Sequence, residues 1–266
     1  MRPSHVLVFG GTSDAIELCQ ALQDRDIRFT VSVATEEGLH SARCFAPNVI
    51  TGRMDSAEIS DYITRMHIDY VIDAAHPYAQ LLRQTIVEAC ETLQCPVMRY
   101  ERPSYRNFDD SPFVIKASNV MDACRNIAEN QSRVLLTTGS KDLEIFKRML
   151  RDKTLFTRVL PVADVISECN SLGFGIDNII AMKGPFTQEM NYALYQMIKP
   201  DVVVTKESGK AGGFEEKVEP CTELGITCIV IERPQTTSIN QYDSYQTELA
   251  GCESVFDSWK QEACLI

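Results

Sequence analysis

Short apolar runs alternate along the chain with amphipathic stretches of helical period. The first apolar run covers residues 6–9 and leads into Gly10 and Gly11, and a stretch with Leu18 and Leu22 on one side follows. A continuous apolar run that ends at glycine is typical of a buried parallel strand, and the later spacing is typical of a helix. The pattern therefore predicts a strand–turn–helix unit at the start of the chain.

The same alternation recurs to the end of the chain. It predicts strands at 6–9, 29–35, 49–52, 70–74, 96–100, 113–116, 133–137, 155–159, 178–182, 201–205 and 227–231. Helices are expected at about 13–25, 56–67, 81–90 and 121–128, and one from about 241 to the C-terminus, where Val255, Phe256 and Trp259 form an apolar face. Strands that alternate with helices predict a parallel sheet with helices on both faces.

Two halves of the chain show the same pattern. Residues 104–112 are polar and lack periodicity, so they are expected to connect a domain at 1–103 with a second at 113–266. Gly10 precedes a Glu-Arg-Pro triplet by 91 positions, and Gly139 precedes a second by 93. We therefore predict an α/β protein with two Rossmann-like, doubly wound, parallel-sheet domains and a cleft between them.

The turn after the first strand is the first candidate site. Gly10, Gly11, Thr12 and Ser13 stand where the backbone N–H groups of a helix N-terminus converge, an arrangement that suits a phosphate. The sequence is related to the dinucleotide-binding glycine pattern but does not match it. The alternative is an ordinary turn between a strand and a helix, with no ligand.

Composition excludes several classes of function. The formal net charge of −11 argues against a nucleic-acid or anionic-membrane binder, and no apolar stretch is long enough to span a bilayer. The ten cysteines are scattered without Cys-x-x-Cys, which favours reduced, buried thiols and no metal site. The N-terminal residues lead directly into a strand, so a cytoplasmic location is expected.

Six motifs, taken together and in order, resemble the precorrin-6A reductase family of cobalamin biosynthesis. They are Gly-Gly-Thr-Ser-Asp-Ala at 10–15, Asp-Ala-Ala-His-Pro-Tyr-Ala at 73–79, Arg-Tyr-Glu-Arg-Pro at 99–103, Leu-Thr-Thr-Gly at 136–139, Lys-Gly-Pro-Phe at 183–186 and Thr-Lys-Glu-Ser-Gly at 205–209. The chain departs from the family at Glu207, where Asn is expected, and at Lys210, where Gly is common. Pro220 is a third departure, and it should kink or end the predicted helix around it.

The resemblance implies an enzyme that transfers hydride from a reduced nicotinamide to a macrocycle double bond of precorrin-6A or its cobalt form. It implies a tetrapyrrole substrate and makes other enzymes of the corrin pathway candidate partners. The residues expected to bind the coenzyme, NADH or NADPH, are Gly10, Gly11, Thr12, Ser13, Thr35, His76, Pro77 and Tyr78. The residues expected to bind the substrate are Thr138, Gly139, Ser140, Lys183 and Ser208.

Lys206 is the candidate catalytic residue, because it follows a strand and precedes a Ser-Gly turn, where it could supply a proton or a positive field. His76 is interpreted as a binding or structural residue rather than a chemical one. Basic residues near strand ends are candidates for binding the substrate's carboxylates: Arg99, Arg102, Arg106, Lys141, Arg158, Lys183, Lys206 and Lys210. Alternatively, Arg102 and Arg233 pair with their neighbouring glutamates.

The coenzyme preference depends on the end of the second strand. Ala-Thr-Glu-Glu at 34–37 carries acidic residues and no arginine, a pattern that favours NADH over NADPH. Two alternatives to the reductase stay open from the residues alone. One is a nucleotide-binding regulatory module without redox chemistry, and the other is a different NAD(P)-dependent reductase or epimerase.

Overall fold

The structure, a computed structural model, describes residues 4–10, 13–101, 108, 111–208, 212–234 and 242–265. It divides into two compact units, the first formed by Met1–Pro103 and Gln235–Ile266 and the second by Ser104–Pro234. The strands are β1 (His5–Phe9), β2 (Arg28–Val33), β3 (Val49–Thr51), β4 (Tyr70–Asp73), β5 (Val97–Tyr100), β6 (Val114–Ala117), β7 (Arg133–Leu136), β8 (Thr154–Val159), β9 (Ile179–Ala181), β10 (Val202–Lys206), β11 (Thr227–Ile231) and β12 (Ser244–Gln246). The helices are α1 (Ser13–Gln23), α2 (Glu36–Ala42), α3 (Ser56–Met66), α4 (Gln80–Leu93), α5 (Val120–Arg125), α6 (Leu143–Met149), α7 (Ala163–Ser171), α8 (Gln188–Ile198), α9 (Glu215–Leu224) and α10 (Leu249–Leu265).

The first unit contains a six-stranded parallel sheet in the order β12-β5-β4-β1-β2-β3. Successive side chains of β1 pack on opposite faces, with Val6 and Val8 in one apolar cluster and Leu7 in another. Because both faces are covered, all five residues of β1 are buried, which explains its continuous apolar run. The alternation of helices and strands thus forms the doubly wound sheet predicted from the sequence.

The second unit contains a six-stranded parallel sheet in the order β6-β11-β10-β7-β8-β9. Both sheets follow the Rossmann order, but the outermost strand of the first comes from the C-terminal part of the chain, and that of the second precedes the other five strands in sequence. β6 follows β5 in sequence and yet joins the second sheet, whereas β12 follows β11 and joins the first. The two-sheet α/β fold class is therefore confirmed. The strand predicted at 113–116 lies in the second sheet, as expected, whereas β12 and its place in the first sheet were not predicted from the pattern.

The C-terminal segment corrects the predicted domain boundary. The helix expected from about residue 241 is instead the strand β12 followed by α10, and both belong to the first unit, not to a second domain that ends at 266. Trp259 of α10 stacks on Tyr70 with ring centroids 4.3 Å apart, and Cys252 and Phe256 are buried in the same core. Local periodicity located an amphipathic helix correctly but carried no information about which sheet it covers.

Proline at 220 does not end the predicted helix. α9 continues through a buried Pro220 to Leu224 and stops at Gly225, which adopts the left-handed conformation (φ 68°) that glycine tolerates. Packing of α9 on the sheet therefore outweighs the loss of one backbone donor. Of the nine cysteines whose side chains the structure describes, Cys44 is exposed and the other eight are buried free thiols, in line with the expectation of reduced, buried cysteine.

Candidate active site

The turn after β1 lies at the carboxyl edge of the first sheet. Gly10 donates its N–H to the Ser32 carbonyl at 3.3 Å, and α1 begins three residues later. A Cβ placed on Gly10 would come within 2.5 Å of the Ala15 Cβ, so only glycine lets the helix approach the strand this closely. Ser13 is the first residue of α1, while predicted binding residues Gly11 and Thr12 lie outside the described residues.

The turn after β4 is the immediate neighbour of this glycine turn. Ala74 donates its N–H to the Phe9 carbonyl at 2.9 Å, and its Cβ lies 3.6 Å from the Cβ position of Gly10. The exposed His76 ring lies beside that of Tyr78, with centroids 5.4 Å apart. Pro77 was expected in the first turn of the following helix, but α4 begins only at Gln80. Residues 74–78 thus form a turn of their own rather than a helix start.

A buried cluster of charged side chains bonds to the backbone of that turn and stabilises it. Arg99 of β5 donates from Nη1 to Asp73 Oδ1 at 2.9 Å, to the Asp73 carbonyl at 3.1 Å and to the Ala75 carbonyl at 2.9 Å. Its Nη2 lies 3.0 Å from Glu101 Oε2, and Arg83 of α4 donates to the Pro77 carbonyl at 3.1 Å. The side chain of Arg99 is 1% exposed. The expectation that Arg99 binds substrate carboxylates is therefore corrected, because the N–H donors of this side chain are already bonded to groups inside the first unit.

Tyr242, just ahead of β12, completes the cluster. Its hydroxyl donates to Asp73 Oδ2 at 3.1 Å. Burial raises the pKa of Tyr242, and the negative charge of Asp73 raises it further, so the phenol stays protonated as a donor. Burial by itself would lower the pKa of Arg99, but Asp73 and Glu101 raise it overall. Sequence reasoning missed Arg83 and Tyr242, because each meets Asp73 only through tertiary packing.

At the end of β2, Thr35 has a structural role. It is the N-cap of α2, and its side chain accepts the Gly38 N–H at 3.1 Å. Glu36 and Glu37 form the first turn of this helix and are exposed. The predicted coenzyme residue therefore shapes the turn, and the acidic pair beside it is accessible.

In the second unit, the turn after β7 carries Thr138, Gly139 and Ser140. Thr138 is buried, and within the described residues its Oγ1 has no hydrogen-bond partner. Gly139 adopts a positive φ of 80°, and a Cβ there would meet no atom within 4 Å. A buried hydroxyl beside open space is a suitable contact for a ligand at this carboxyl edge.

Lys206 ends β10 and faces the same turn. Its Nζ lies 2.6 Å from Asp142 Oδ2, and the two side chains are 17% and 23% exposed. The short N–O distance marks a charge-assisted hydrogen bond between ammonium and carboxylate. Asp142 was not singled out as a partner from the sequence, because it reaches Lys206 from a different part of the chain.

Arg158 near the end of β8 is a buried cation whose contacts with Asn191 and Phe186 are with uncharged side chains. Its Nη1 donates to Asn191 Oδ1 at 2.6 Å, and its guanidinium lies 4.0 Å above the Phe186 ring centre. Burial lowers the pKa of Arg158, and within the described residues it forms no ion pair. Lys183, on the loop that leads to Phe186, is exposed. These two cations fit the expected role of binding anionic groups.

Lys217 of α9 is a site feature that sequence reasoning missed. Its amine donates to Ser208 Oγ at 3.2 Å and to the Gly212 carbonyl at 2.7 Å. It therefore bonds to the residue before and to the residue after the segment 209–211. Burial and, to a lesser degree, the nearby Arg158 lower the pKa of Lys217 to about 8. A lysine beside Val218 and Cys221 on the sheet-facing side of an amphipathic helix is the sequence signal that could have revealed it.

The two Glu-Arg-Pro triplets have different environments despite their shared sequence. Glu101 is buried against Arg99, whereas Glu232 is exposed. Arg233 bonds to Glu207, donating from Nε to its carbonyl at 3.3 Å, and so does not show the predicted pairing with its neighbour in the triplet. Arg102, Arg106 and Lys210 lie outside the described residues, as does most of the predicted linker.

Comparison with known proteins assigns the family. Residues 5–252 match the model described as precorrin-6x reductase CbiJ/CobK. The chain belongs to this family. Two of its relatives are named cobalt-precorrin-6A reductase. The one from Salmonella typhimurium is 44% identical over 234 residues, which cover 88% of this chain and 89% of the relative. The one from Priestia megaterium is 34% identical over 244 residues, which cover 91% of this chain and 95% of the relative.

A solved structure supports the same fold. The reductase chain resembles CobK precorrin-6A reductase with a TM-score of 0.77 at 22% identity, over 96% of this chain and 97% of that one. The family resemblance drawn from the six motifs is thus confirmed, and the chain is a member of an oxidoreductase family. Within the described part of the chain, no helix is long and apolar enough to cross a bilayer, and no three His, Cys, Asp or Glu side chains form a group that could hold a metal ion.

Proposed function

We propose that this reductase uses a reduced nicotinamide coenzyme to reduce a ring double bond of cobalt-precorrin-6A, giving cobalt-precorrin-6B. The observation that carries the proposal is the family match over residues 5–252, which includes the ligand-type turns of both sheets. The cobalt form is favoured because both relatives described above carry that substrate in their names.

The first unit is proposed to bind the coenzyme. Gly10 leaves no room for a side chain, the N-terminus of α1 follows it and suits an anion, and the turn at His76, Pro77 and Tyr78 lies alongside. These features fit a pyrophosphate and the ring systems attached to it. When bound, the reduced nicotinamide supplies the hydride; the protein groups hold and orient it.

A preference for NADH is part of the proposal. Glu36 and Glu37 are exposed in the first turn of α2, where a carboxylate can accept hydrogen bonds from ribose hydroxyls and repels an added phosphate. The ratio of kcat/KM for the two coenzymes measures the preference. We expect Glu36→Arg to move the ratio towards NADPH, and a larger kcat/KM with NADPH in the unmodified enzyme would contradict the assignment.

The second unit is proposed to bind the macrocycle. A substrate with several carboxylates needs a local positive field in a chain whose net charge is −11. Arg158 and Lys183 supply cationic groups, and Thr138, Gly139 and Ser140 supply polar atoms at the edge of the same sheet. Arginine binds carboxylates through two parallel donors, so the guanidinium of Arg158, which forms no ion pair within the described residues, suits this role.

Lys206 is proposed to stabilise the negative charge that develops on the macrocycle as hydride arrives. Asp142 at 2.6 Å holds the lysine amine in one position, so little reorganisation is needed during the reaction. Lys206→Met is expected to lower kcat by about 100-fold, the usual size of such an electrostatic contribution. Because the residue does not belong to the proposed coenzyme site, the coenzyme dissociation constant should stay within twofold.

The experiment that tests the function mixes purified protein, anaerobically, with cobalt-precorrin-6A and either coenzyme. Reduction is followed by the change in the visible spectrum of the macrocycle and by coenzyme oxidation. Lys153→Met is the matched control, since this lysine bonds to the Glu129 carbonyl at 2.8 Å at the opposite edge of the same sheet. A pure binding module would bind coenzyme without spectral change, and that result would refute the proposal.

A further inference from the structure

The amine of Lys217 is a buried cation that the proposed function leaves without a role. Lys217 is 9% exposed, and its two recorded partners are neutral oxygens, Ser208 Oγ and the Gly212 carbonyl. In the part of the second unit that the structure describes, no carboxylate lies within ion-pair distance of it. Placing a charged amine in such surroundings costs free energy, so an advantage elsewhere is expected.

The charged groups around Lys217 favour release of its proton. Burial has the largest effect, and Arg158 on β8 adds like-charge repulsion; both lower the lysine pKa, to about 8. Glu216 on α9 and Cys228 on β11 act in the opposite direction. Tyr195 of α8 donates its hydroxyl to the Lys217 carbonyl, and because burial holds the pKa of this phenol well above 10, it remains a neutral donor.

Ser208 links this amine to the edge of the sheet where ligands bind in such folds. It follows β10 by two residues and is partly exposed, while Lys217 lies behind it. The Ser208 hydroxyl donates to the Gly212 carbonyl at 3.0 Å, and Lys217 donates to the same carbonyl at 2.7 Å. If the hydroxyl turns towards a substrate, that carbonyl therefore keeps a donor.

Lys206 and Lys217 suit different tasks. Lys206 is bonded to a carboxylate, which holds its charged end in one position. Lys217 has neutral partners and a cationic neighbour, which favours proton transfer from its amine. We propose that Ser208 is the proton donor to the macrocycle and that Lys217 is the positioning residue that replaces its proton.

This inference rests on the proposed reductase function, and it supplies the proton that the reduction of a double bond needs in addition to the hydride. Hydride adds to one carbon of the ring double bond, the coenzyme is oxidised, and the former π pair forms a C–H bond at the neighbouring carbon with the proton of Ser208 Oγ. The hydroxyl regains a proton from Lys217 Nζ, and the neutral amine takes one from water. One π bond is lost, two C–H bonds form, and one hydride and one proton are consumed.

The experiment compares four variants under the assay above. Ser208→Ala removes the donor, Ser208→Thr restores a hydroxyl, Lys217→Arg keeps a cation that does not give up its proton, and Lys153→Met is the matched control. We expect Ser208→Ala and Lys217→Arg to lower kcat by about 100-fold with KM nearly unchanged, the size typical of a lost general acid. Ser208→Thr should recover at least a tenth of the wild-type kcat.

The pH profile separates proton delivery from a structural role. The wild-type kcat should fall above about pH 8, because the amine must be protonated to restore the hydroxyl. Lys217→Arg should lose this alkaline limb, since a guanidinium stays charged. The wild-type kcat should show a solvent deuterium isotope effect. The same effect should persist in Ser208→Thr and in Lys153→Met.

A direct measurement tests the amine without turnover. With lysine labelled at Nζ, NMR titration of the wild type should show one resonance with a midpoint near pH 8, absent in Lys217→Arg and present in Lys153→Met. Wild-type kcat and pH profile in both Ser208→Ala and Lys217→Arg would overturn the relay while leaving the reductase function intact. Failure of the wild-type enzyme to reduce the macrocycle would instead refute the proposed function.

Discussion

The buried charge cluster of the first unit makes a prediction about stability and coenzyme binding together. Arg99→Met keeps an unbranched apolar stem but removes the guanidinium, and with it the bonds to Asp73, to the Ala75 carbonyl and to Glu101. Two carboxylates then remain buried with less positive charge beside them. Breaking a buried pair in this way costs about 3–5 kcal/mol of unfolding free energy.

Two further variants set the scale of this effect. Tyr242→Phe removes a single hydrogen bond to the Asp73 carboxylate and should cost about 2 kcal/mol, the usual value for a bond to a charged group. Arg65→Met removes an exposed ion pair with Asp61, whose side chains are 65% and 69% exposed, and should cost less than about 0.5 kcal/mol.

Urea unfolding followed by tryptophan fluorescence measures these losses of unfolding free energy in the first unit, where the cluster lies. The chain has one tryptophan, Trp259, and it is buried against Tyr70 in the core of the first unit. The coenzyme dissociation constant should rise at least tenfold in Arg99→Met, because the carbonyls of Asp73 and Ala75 lose their common donor and the turn with His76 loses its fixed shape. A free energy of unfolding within about 1 kcal/mol of the wild type would refute the reasoning, as would unchanged coenzyme affinity.

Three other predictions follow from single contacts. Gly10→Ala places a Cβ 2.5 Å from the Ala15 Cβ and should cost about 1–3 kcal/mol in urea unfolding and weaken coenzyme binding; full retention of both would contradict the close-packed turn. Asp142→Asn removes the carboxylate beside Lys206 and should lower kcat by about tenfold without changing coenzyme affinity, as measured by steady-state kinetics and coenzyme titration. Among the nine cysteines whose side chains the structure describes, the exposed Cys44 should be modified first by a thiol reagent in the native protein, with the eight buried thiols reacting only on unfolding; mass mapping of the modified sites would reveal any other order.

Local sequence pattern was sufficient for most elements of this fold. The buried run of β1, the glycine turn and the start of α1 are encoded within ten consecutive residues, because strand burial and helix capping depend on near neighbours. The same holds for the turns after β4, β7 and β10, which were located as candidate sites from apolar runs that end in polar residues. The six motifs also sufficed to predict the family that the comparisons confirm.

Tertiary structure alone decided which segments and charges meet. β12 pairs with β5 although some 140 residues separate them, and periodicity cannot specify such a partner because it describes only which face of an element is apolar. Arg99 and Lys217 are likewise ordinary basic residues in the sequence. Their roles depend on what surrounds them: carboxylates enclose Arg99 and hold a turn, whereas neutral oxygens and a second cation surround Lys217. Burial and neighbouring charge set the chemistry of an ionisable group, and both arise only when distant parts of the chain pack together.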